Sequence, residues 1–431
     1  MKAIFYNLNM KVAKNSLIYL LSNILSAAMP FILLPILTRV FTPADFGQIA
    51  MFQMVITGLS AFVGVNAIGA ANRKYYDNSV NNNILSIYNG ACLQVLILSC
   101  FIILILFSIF SDRISILLDI SPKWVFSALL LSVCIFIINL RLGQWQIRAD
   151  ALKFGMMQTG YGLFNLGLSL VFILLLNYGA QGRVDAQVIA ALISAVIAIY
   201  LLYKDKLVVL MDLNPKYIKD ILFFGVPLIP HAFGGFLLSA ADRFVINREL
   251  GLSQAGIYMA AVQFSMVLSI FFDALNKAYM PWLFGILRSG EIYKKRSVVR
   301  YTYFYFIFLI MILLPICLFI SPWAFCLLIG KEYQPAMQVI GLLCLGQIFN
   351  GMYLMVTNYI FFAKKTQLLG LVTITSGIIN VILLNVFVDL YGIIGAAWAF
   401  IISSFIQFMF TWILSAKVYC MPWLYMKSIN S

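Results

Sequence analysis

Groups able to do chemistry are sparse in this sequence. It carries 15 Asp and Glu, 29 Lys and Arg and a single His in 431 residues. Ser265, Ser269, Asp273 and Lys277 recur at every fourth position, which places them on one face of a helix. Asp273 and Lys277 can pair there as a structural ion pair at a helix end. The alternative is a coupling site for a cation or a proton, because ionisable groups within membrane helices are commonly functional. His231 closes the run Pro227-Leu228-Ile229-Pro230-His231. Two prolines three apart should kink a helix and free backbone carbonyls, which can then bind a ligand. A lone packed histidine is the plainer reading, and it cannot complete a metal site by itself.

The basic residues Arg73, Lys74, Arg141, Arg148 and Lys277 all stand where apolar runs end. Such positions suit phosphate capture. They equally suit cations that snorkel to the interface and set topology. Gln53, Thr57 and Gln263 are polar groups within apolar runs, fitted to a hydroxyl-rich ligand or to contacts between helices. Arg39, Asp242, Arg243 and Arg248 stand at the opposite ends of such runs, where they can form a gate of ion pairs or a plain solvated junction.

These groups are embedded in a chain that is 63% hydrophobic and only 10% charged. Soluble domains are about half apolar and about a quarter charged. A water-soluble fold of this length cannot hide so much apolar surface, so an integral membrane protein is expected. Twelve apolar stretches are long enough for the roughly 20 residues a spanning helix needs. The first six are Asn15–Thr38, Phe46–Asn72, Asn78–Ser111, Trp124–Leu140, Phe154–Gly182 and Ala186–Tyr203. The second six are Ile221–Ala241, Leu250–Phe272, Tyr301–Gly330, Tyr333–Ala363, Thr366–Val388 and Leu390–Ala416. The first begins too deep and runs too long for a cleaved leader, and is expected to remain as a helix.

With both termini in the cytoplasm, 22 of the 29 Lys and Arg fall on the cytoplasmic side. That bias is the expected one, and it accounts for most of the net charge of +14. The basic residues are scattered among loops without a nucleic-acid-binding module, so no nucleic-acid partner is expected. The seven cysteines form no CxxC or Cys/His cluster, so neither a disulfide framework nor a metal site is expected. No Gly-rich phosphate loop with Lys is present, which argues against direct use of ATP, and no other cofactor is implied.

The polar segment from Lys204 to Asp220 divides six runs from six. The halves resemble each other weakly. Aligning Thr38–Gly47 with Asn247–Gly256 sets Arg39 on Arg248 and Gly47 on Gly256. Six helices per half leave the halves in parallel orientation, a common transporter plan. The expected fold is therefore all-α, with about 12 transmembrane helices in two pseudo-symmetric six-helix lobes, residues 1–210 and 211–431.

The run Ala241-Asp242-Arg243-Phe244-Val245-Ile246-Asn247-Arg248-Glu249-Leu250-Gly251, continued to Tyr258, resembles the helix 7–8 junction of the polysaccharide transporter family, the Wzx-type repeat-unit flippases. Leu34–Arg39 with Asp45-Phe46-Gly47, Phe361–Thr366 with Ile379-Asn380, and Tyr391–Ala397 resemble three further pieces of that family, in order along the chain. The resemblance implies two six-helix lobes of the multidrug/oligosaccharidyl-lipid/polysaccharide exporter superfamily. It implies an undecaprenyl-pyrophosphate-linked oligosaccharide, moved between leaflets of a bacterial inner membrane, and neighbouring polymerase and chain-length-regulator proteins as partners. Arg73, Lys74, Arg141, Arg148 and Lys277 then become candidates for the pyrophosphate, and His231, Gln53 and Gln263 for the headgroup. Related lipid II flippases carry arginines within helices 1 and 2, which are uncharged here, so that site is not transferred. A drug/cation antiporter usually needs a buried carboxylate in the first lobe, which is lacking. A membrane polysaccharide polymerase would show a large outer loop or an acidic DxD motif, and neither is found. The chain reads as a transporter and not as an enzyme.

Overall fold

A computed structural model describes residues 2–77 and 81–423, with side chains from Asn15 onward. Asn78–Val80, at the start of the expected third run, lie outside the described residues, as does Lys427. The side chains of Lys2, Lys11 and Lys14 do too. Among the described residues the chain is helical and carries no strand. Lipid offers backbone groups no hydrogen bonds, so each spanning segment must satisfy its own.

Helix α1 spans Lys2–Val40, α2 Pro43–Leu59, α3 Ala67–Lys74 and α4 Asn82–Leu118. Helices α5 (Pro122–Ile147), α6 (Ala151–Leu170) and α7 (Gly179–Lys204) follow, with a π-helical turn at Val171–Leu175 ending α6. Helices α8 (Pro215–Gly225) and α9 (Ile229–Ser239) are separated by a 3₁₀ turn at Val226–Leu228, where the paired prolines were expected to break the helix. A short α10 covers Ala241–Leu250 and α11 runs Leu252–Ser289. The remainder is α12 (Ile292–Phe308), α13 (Leu314–Leu328), α14 (Met337–Phe362) and α15 (Thr366–Val418).

Ten of these helical segments are long and apolar enough to cross a bilayer, and the bent pair Pro43–Leu59 and Val63–Lys74 supplies another. Helix α15 counts for two. Its 53 residues would reach about 80 Å if straight, against about 30 Å of hydrocarbon. Gly392, at φ 60° and ψ −140°, breaks it where only glycine is at ease. A Cβ on Gly395 would lie 1.8 Å from the Phe387 carbonyl oxygen, so the chain doubles back tightly. Twelve spans result among the described residues, as the apolar runs predict.

The second run differs from expectation. Phe46–Asn72 is not one helix but two, bent by 48°. Gly64, Val65 and Asn66 between them all take left-handed φ values of 71°, 45° and 54°. A β-branched residue rarely adopts that conformation.

The chain groups into two compact units. The first comprises Met1–Leu33 and Asp45–Ala232, the second Leu34–Ala44 and Phe233–Ser431. In the first, Ala186, Ala190, Ser194 and Ala198 recur every fourth residue on α7 and are buried, and α7 lies along α5. Small side chains allow that close approach where no hydrophobic effect drives helices together. The outward faces are apolar: Leu17, Leu21 and Leu25 form an exposed ridge on α1, and Ile97, Phe101 and Ile105 another on α4. Continuous apolar surface of this extent suits lipid, not water. In the second unit α14 is central. Its Ile348, Met352 and Val356 pack with Phe272, Phe306, Leu309 and Phe408. Asn276 and Asn358 bridge α11 and α14 at 2.7 Å, and Asn380 donates to the Leu237 carbonyl at 2.8 Å.

Candidate functional site

The basic candidates of the first unit gather at one end, around α3, α4, α5 and α8. Arg73, in the last turn of α3, reaches both oxygens of Asp220 on α8 at 3.3 Å and lies over the Phe224 ring at 4.7 Å. The Tyr88 hydroxyl of α4 donates to the same carboxylate at 2.7 Å. A Cβ on Gly225 would sit 1.9 Å from the Val65 carbonyl oxygen, so glycine lets α8 come this near. Arg73 and Asp220 are both about half exposed. Lys74 pairs with Asp77 at 2.8 Å and holds that carboxyl below its ordinary range.

Arg141 and Arg148 adjoin this cluster, because Asn72 of α3 packs on Gly143 of α5. The expected fourth run ended at Leu140, but α5 continues to Ile147. Arg141 is thus inside a helix, fully buried, paired with Asp205 just beyond α7 and stacked over Trp145 at 4.0 Å. Its Nε and Nη1 meet no protein acceptor. Arg148 donates from Nη1 to the Gln144 carbonyl at 3.1 Å and to Gln144 Oε1 at 2.6 Å, and lies over Tyr75 at 5.1 Å. Four cations so share one end of the unit, ringed by Tyr75, Tyr88, Trp145 and Phe224. That is chemistry for an anionic group with a sugar-like neighbour.

The other candidates are dispersed. Gln53 donates to Gln187 Oε1 at 3.1 Å and ties α2 to α7, while the Thr57 hydroxyl donates to the Gln53 carbonyl. Gln263 is half-buried on α11. His231 is half-buried on α9, with Nδ1 unpartnered. In the second unit Asp273 and Lys277 form the ion pair their spacing allows, at 2.6 Å, each about half exposed. Of the four gate candidates, Arg39 is exposed, and Arg248 pairs with Glu249 at 2.5 Å and donates to Asn385 at 2.8 Å. Asp242 and Arg243 are buried. Arg243 directs Nε at Met259 Sδ, 3.0 Å away, and its backbone N–H donates to Asp242 Oδ1 at 2.8 Å. Among the described residues no three His, Cys, Asp or Glu gather as metal ligands.

Arg183 was not among the candidates drawn from the sequence. The apolar pattern assigned Arg183 to a loop between the fifth and sixth runs. Helix α7 begins at Gly179, so Arg183 lies in its second turn and is only 6% exposed. Asp205, Asp220 and Tyr88, which organise the basic end, were likewise unmarked. Their partners are 64, 147 and 132 residues away. No local signal announces such pairs.

The same arrangement of helices is found in solved transporters. The lipid II flippase MurJ, in an inward closed conformation, superposes with a TM-score of 0.67 at 14% identity, covering 95% of this chain and 87% of its own. The relatives in sequence include a Shigella flexneri protein named "Putative O-antigen transporter", 24% identical over 402 residues, 90% of this chain and 94% of that one. Another is the capsular polysaccharide biosynthesis protein CapF of Staphylococcus aureus, 20% identical over 405 residues, 92% and 97% of the two chains. A family model described as polysaccharide biosynthesis protein matches residues 12–287. That match takes in the basic end of the first unit and the Asp273–Lys277 face of the second, and by it the chain belongs to the polysaccharide biosynthesis protein family.

Proposed function

We propose that the protein is a flippase that carries an undecaprenyl-pyrophosphate-linked oligosaccharide, an O-antigen or capsule repeat unit, from the cytoplasmic to the periplasmic leaflet by alternating access. The observation that carries this reading is the gathering of Arg73, Lys74, Arg141 and Arg148 at one end of the first unit. Exposed ion pairs are worth only about 0–1 kcal/mol. A pyrophosphate with several charges can therefore displace Asp220 from Arg73 and Asp77 from Lys74, while Tyr75 and Phe224 offer faces to a sugar. The half-exposed Lys277 supplies a cation of the same kind in the second lobe, once freed from Asp273. The lipid tail stays in the bilayer. Net movement requires the headgroup to bind the inward-open and outward-open states with different affinity.

In this reading the lobes are residues 1–210 and 211–431, with both termini in the cytoplasm. His231, Gln53 and Gln263 serve the headgroup, and Asp273 is the coupling group. Arg39, Asp242, Arg243 and Arg248 form the outer gate. The membrane is the bacterial inner membrane, and a polymerase and a chain-length regulator act next on the delivered unit. The protein transports and does not catalyse. The name of the Shigella relative and the fold of MurJ both support this assignment.

The test is deletion and complementation. Loss of surface polymer, with repeat units accumulating in the inner leaflet and restored export on complementation, is the expected result. Normal polymer with raised sensitivity to cationic drugs would replace the flippase by a drug/cation antiporter. Repeat units that reach the outer leaflet but remain unpolymerised would point to a polymerase.

A further inference from the structure

The first unit encloses a second polar feature, separate from its basic end. A cavity of about 260 Å³ lies among α1, α5, α6 and α7, and its polar lining is Ser26, Asn139, Gln158, Tyr161, Asn165 and Arg183. Arg183 is its only charge. Arg183 is 6% exposed and lies within an apolar span. Its Nη1 donates to Asn165 Oδ1 at 2.9 Å and to the Ser169 hydroxyl. Both acceptors are neutral. Among the described residues no carboxylate pairs with Arg183, and Asp185, two residues on, accepts from Gln181 at 2.7 Å instead. Among the described residues Nε–H and Nη2–H have no hydrogen-bond acceptor beside these. The hydroxyl of Ser26 is buried and unpartnered in the same cavity.

A buried charge without a counter-charge is among the costliest arrangements a protein can hold. Helix α7 adds to the problem. Arg183 is its fifth residue, just behind the positive N-terminal end of the helix. The cavity supplies room and unused donors, and the field supplies the sign. A sodium ion or hydronium is repelled by both. We propose that this cavity is a binding site for a small monovalent inorganic anion of the halide class, held by Arg183 Nε–H and Nη2–H. One guanidinium balances one negative charge, whereas a pyrophosphate would leave charge uncompensated among Met29, Leu33 and Ile135. Gln158 Oε1, also unpartnered, is an acceptor and accepts from water accompanying the ion. Its amide Nε2 is already spent on Asn23 Oδ1 at 3.0 Å.

The experiment uses the full chain purified in detergent without substrate, so its outcome is independent of what the protein transports. Thermal unfolding is followed while sodium chloride replaces sodium gluconate at constant ionic strength. The midpoint should rise saturably with chloride and bromide and not with gluconate. Arg183→Gln should abolish the dependence. Arg183→Lys keeps the cation and loses the guanidinium fork, and should raise the half-saturating concentration about ten-fold, the worth of one hydrogen bond to a charged group. Should Arg183→Gln fail to fold, a bromide-soaked crystal of the wild type decides: an anomalous peak beside Arg183 is expected. Equal midpoints in chloride and gluconate, an unchanged halide response in Arg183→Gln, or no bromide in the cavity would each overturn the proposal. A response to undecaprenyl pyrophosphate alone would also overturn it, and would assign the cavity to the lipid headgroup.

Discussion

Arg73 and Arg141 sit at the same end of one unit and are held in opposite ways. Arg73 meets Asp220 at 3.3 Å with both side chains about half in solvent. Arg73→Gln should therefore change stability by less than about 1 kcal/mol and still lower export of surface polymer severely. Unfolding of the purified protein beside a polymer assay checks the separation. Arg141 is fully buried while its partner Asp205 is two-fifths exposed. Asp205→Asn should cost about 1–2 kcal/mol, less than the 3–5 of a fully buried pair, because water reaches the acid. A drop in unfolding midpoint with export retained at permissive temperature would match. Arg73 and Lys74 were legible from the sequence because they do end a helix. Arg141 and Arg183 were misplaced by the same logic, which takes each charge as the end of a span. A guanidinium can stay inside when another helix brings it a partner. Asp205 and Asn165 lie 64 and 18 residues away from the arginines they serve.

At the scale of elements, the twelve spans follow from apolar run length, because lipid leaves helices as the only economical solution. The turn at Gly392 was anticipated by Asp389 and the Tyr391-Gly392 pair that interrupts a long apolar stretch. The bend in the second run was not, since Gly64-Val65-Asn66 is as uncharged as its surroundings and its conformation is imposed by packing. A Cβ on Gly64 would lie 2.1 Å from the Phe136 ring. Glycine replacements separate these cases. Gly392→Ala should destabilise by about 1–3 kcal/mol, the strain of a conformation that L-residues avoid. Gly167→Ala, on a part of α6 with nothing within 4 Å, should be neutral or stabilising by up to about 1 kcal/mol. Unfolding midpoints measured side by side decide it. A Gly392→Ala protein as stable as the parent would mean that the hairpin turn is not under conformational constraint.

For the whole molecule, the distribution of Lys and Arg makes a prediction about sidedness. Single cysteines placed by Lys331→Cys and Lys417→Cys, in a background with the native cysteines replaced by Ser, should differ in reach. A membrane-impermeant thiol reagent applied to spheroplasts should label the first and spare the second. Labelling of both, or the reverse pattern, would invert or break the twelve-span topology.

The reversal at Gly392 bears on how the protein is made. The last two spans are joined with no polar loop between them: the Phe387 carbonyl and Gly395 are in near contact across the turn. A translocating channel therefore has no soluble linker to export before the final helix arrives. Thr366–Val418 must enter the bilayer as one hairpin, its second arm following the first without a pause. A ribosome stalled just past Gly392 would leave the first arm, whose Asn380 already has the Leu237 carbonyl of α9 to bond, without the second arm of its hairpin. Synthesis of this protein thus stays vulnerable until the 53 residues of Thr366–Val418 have emerged together.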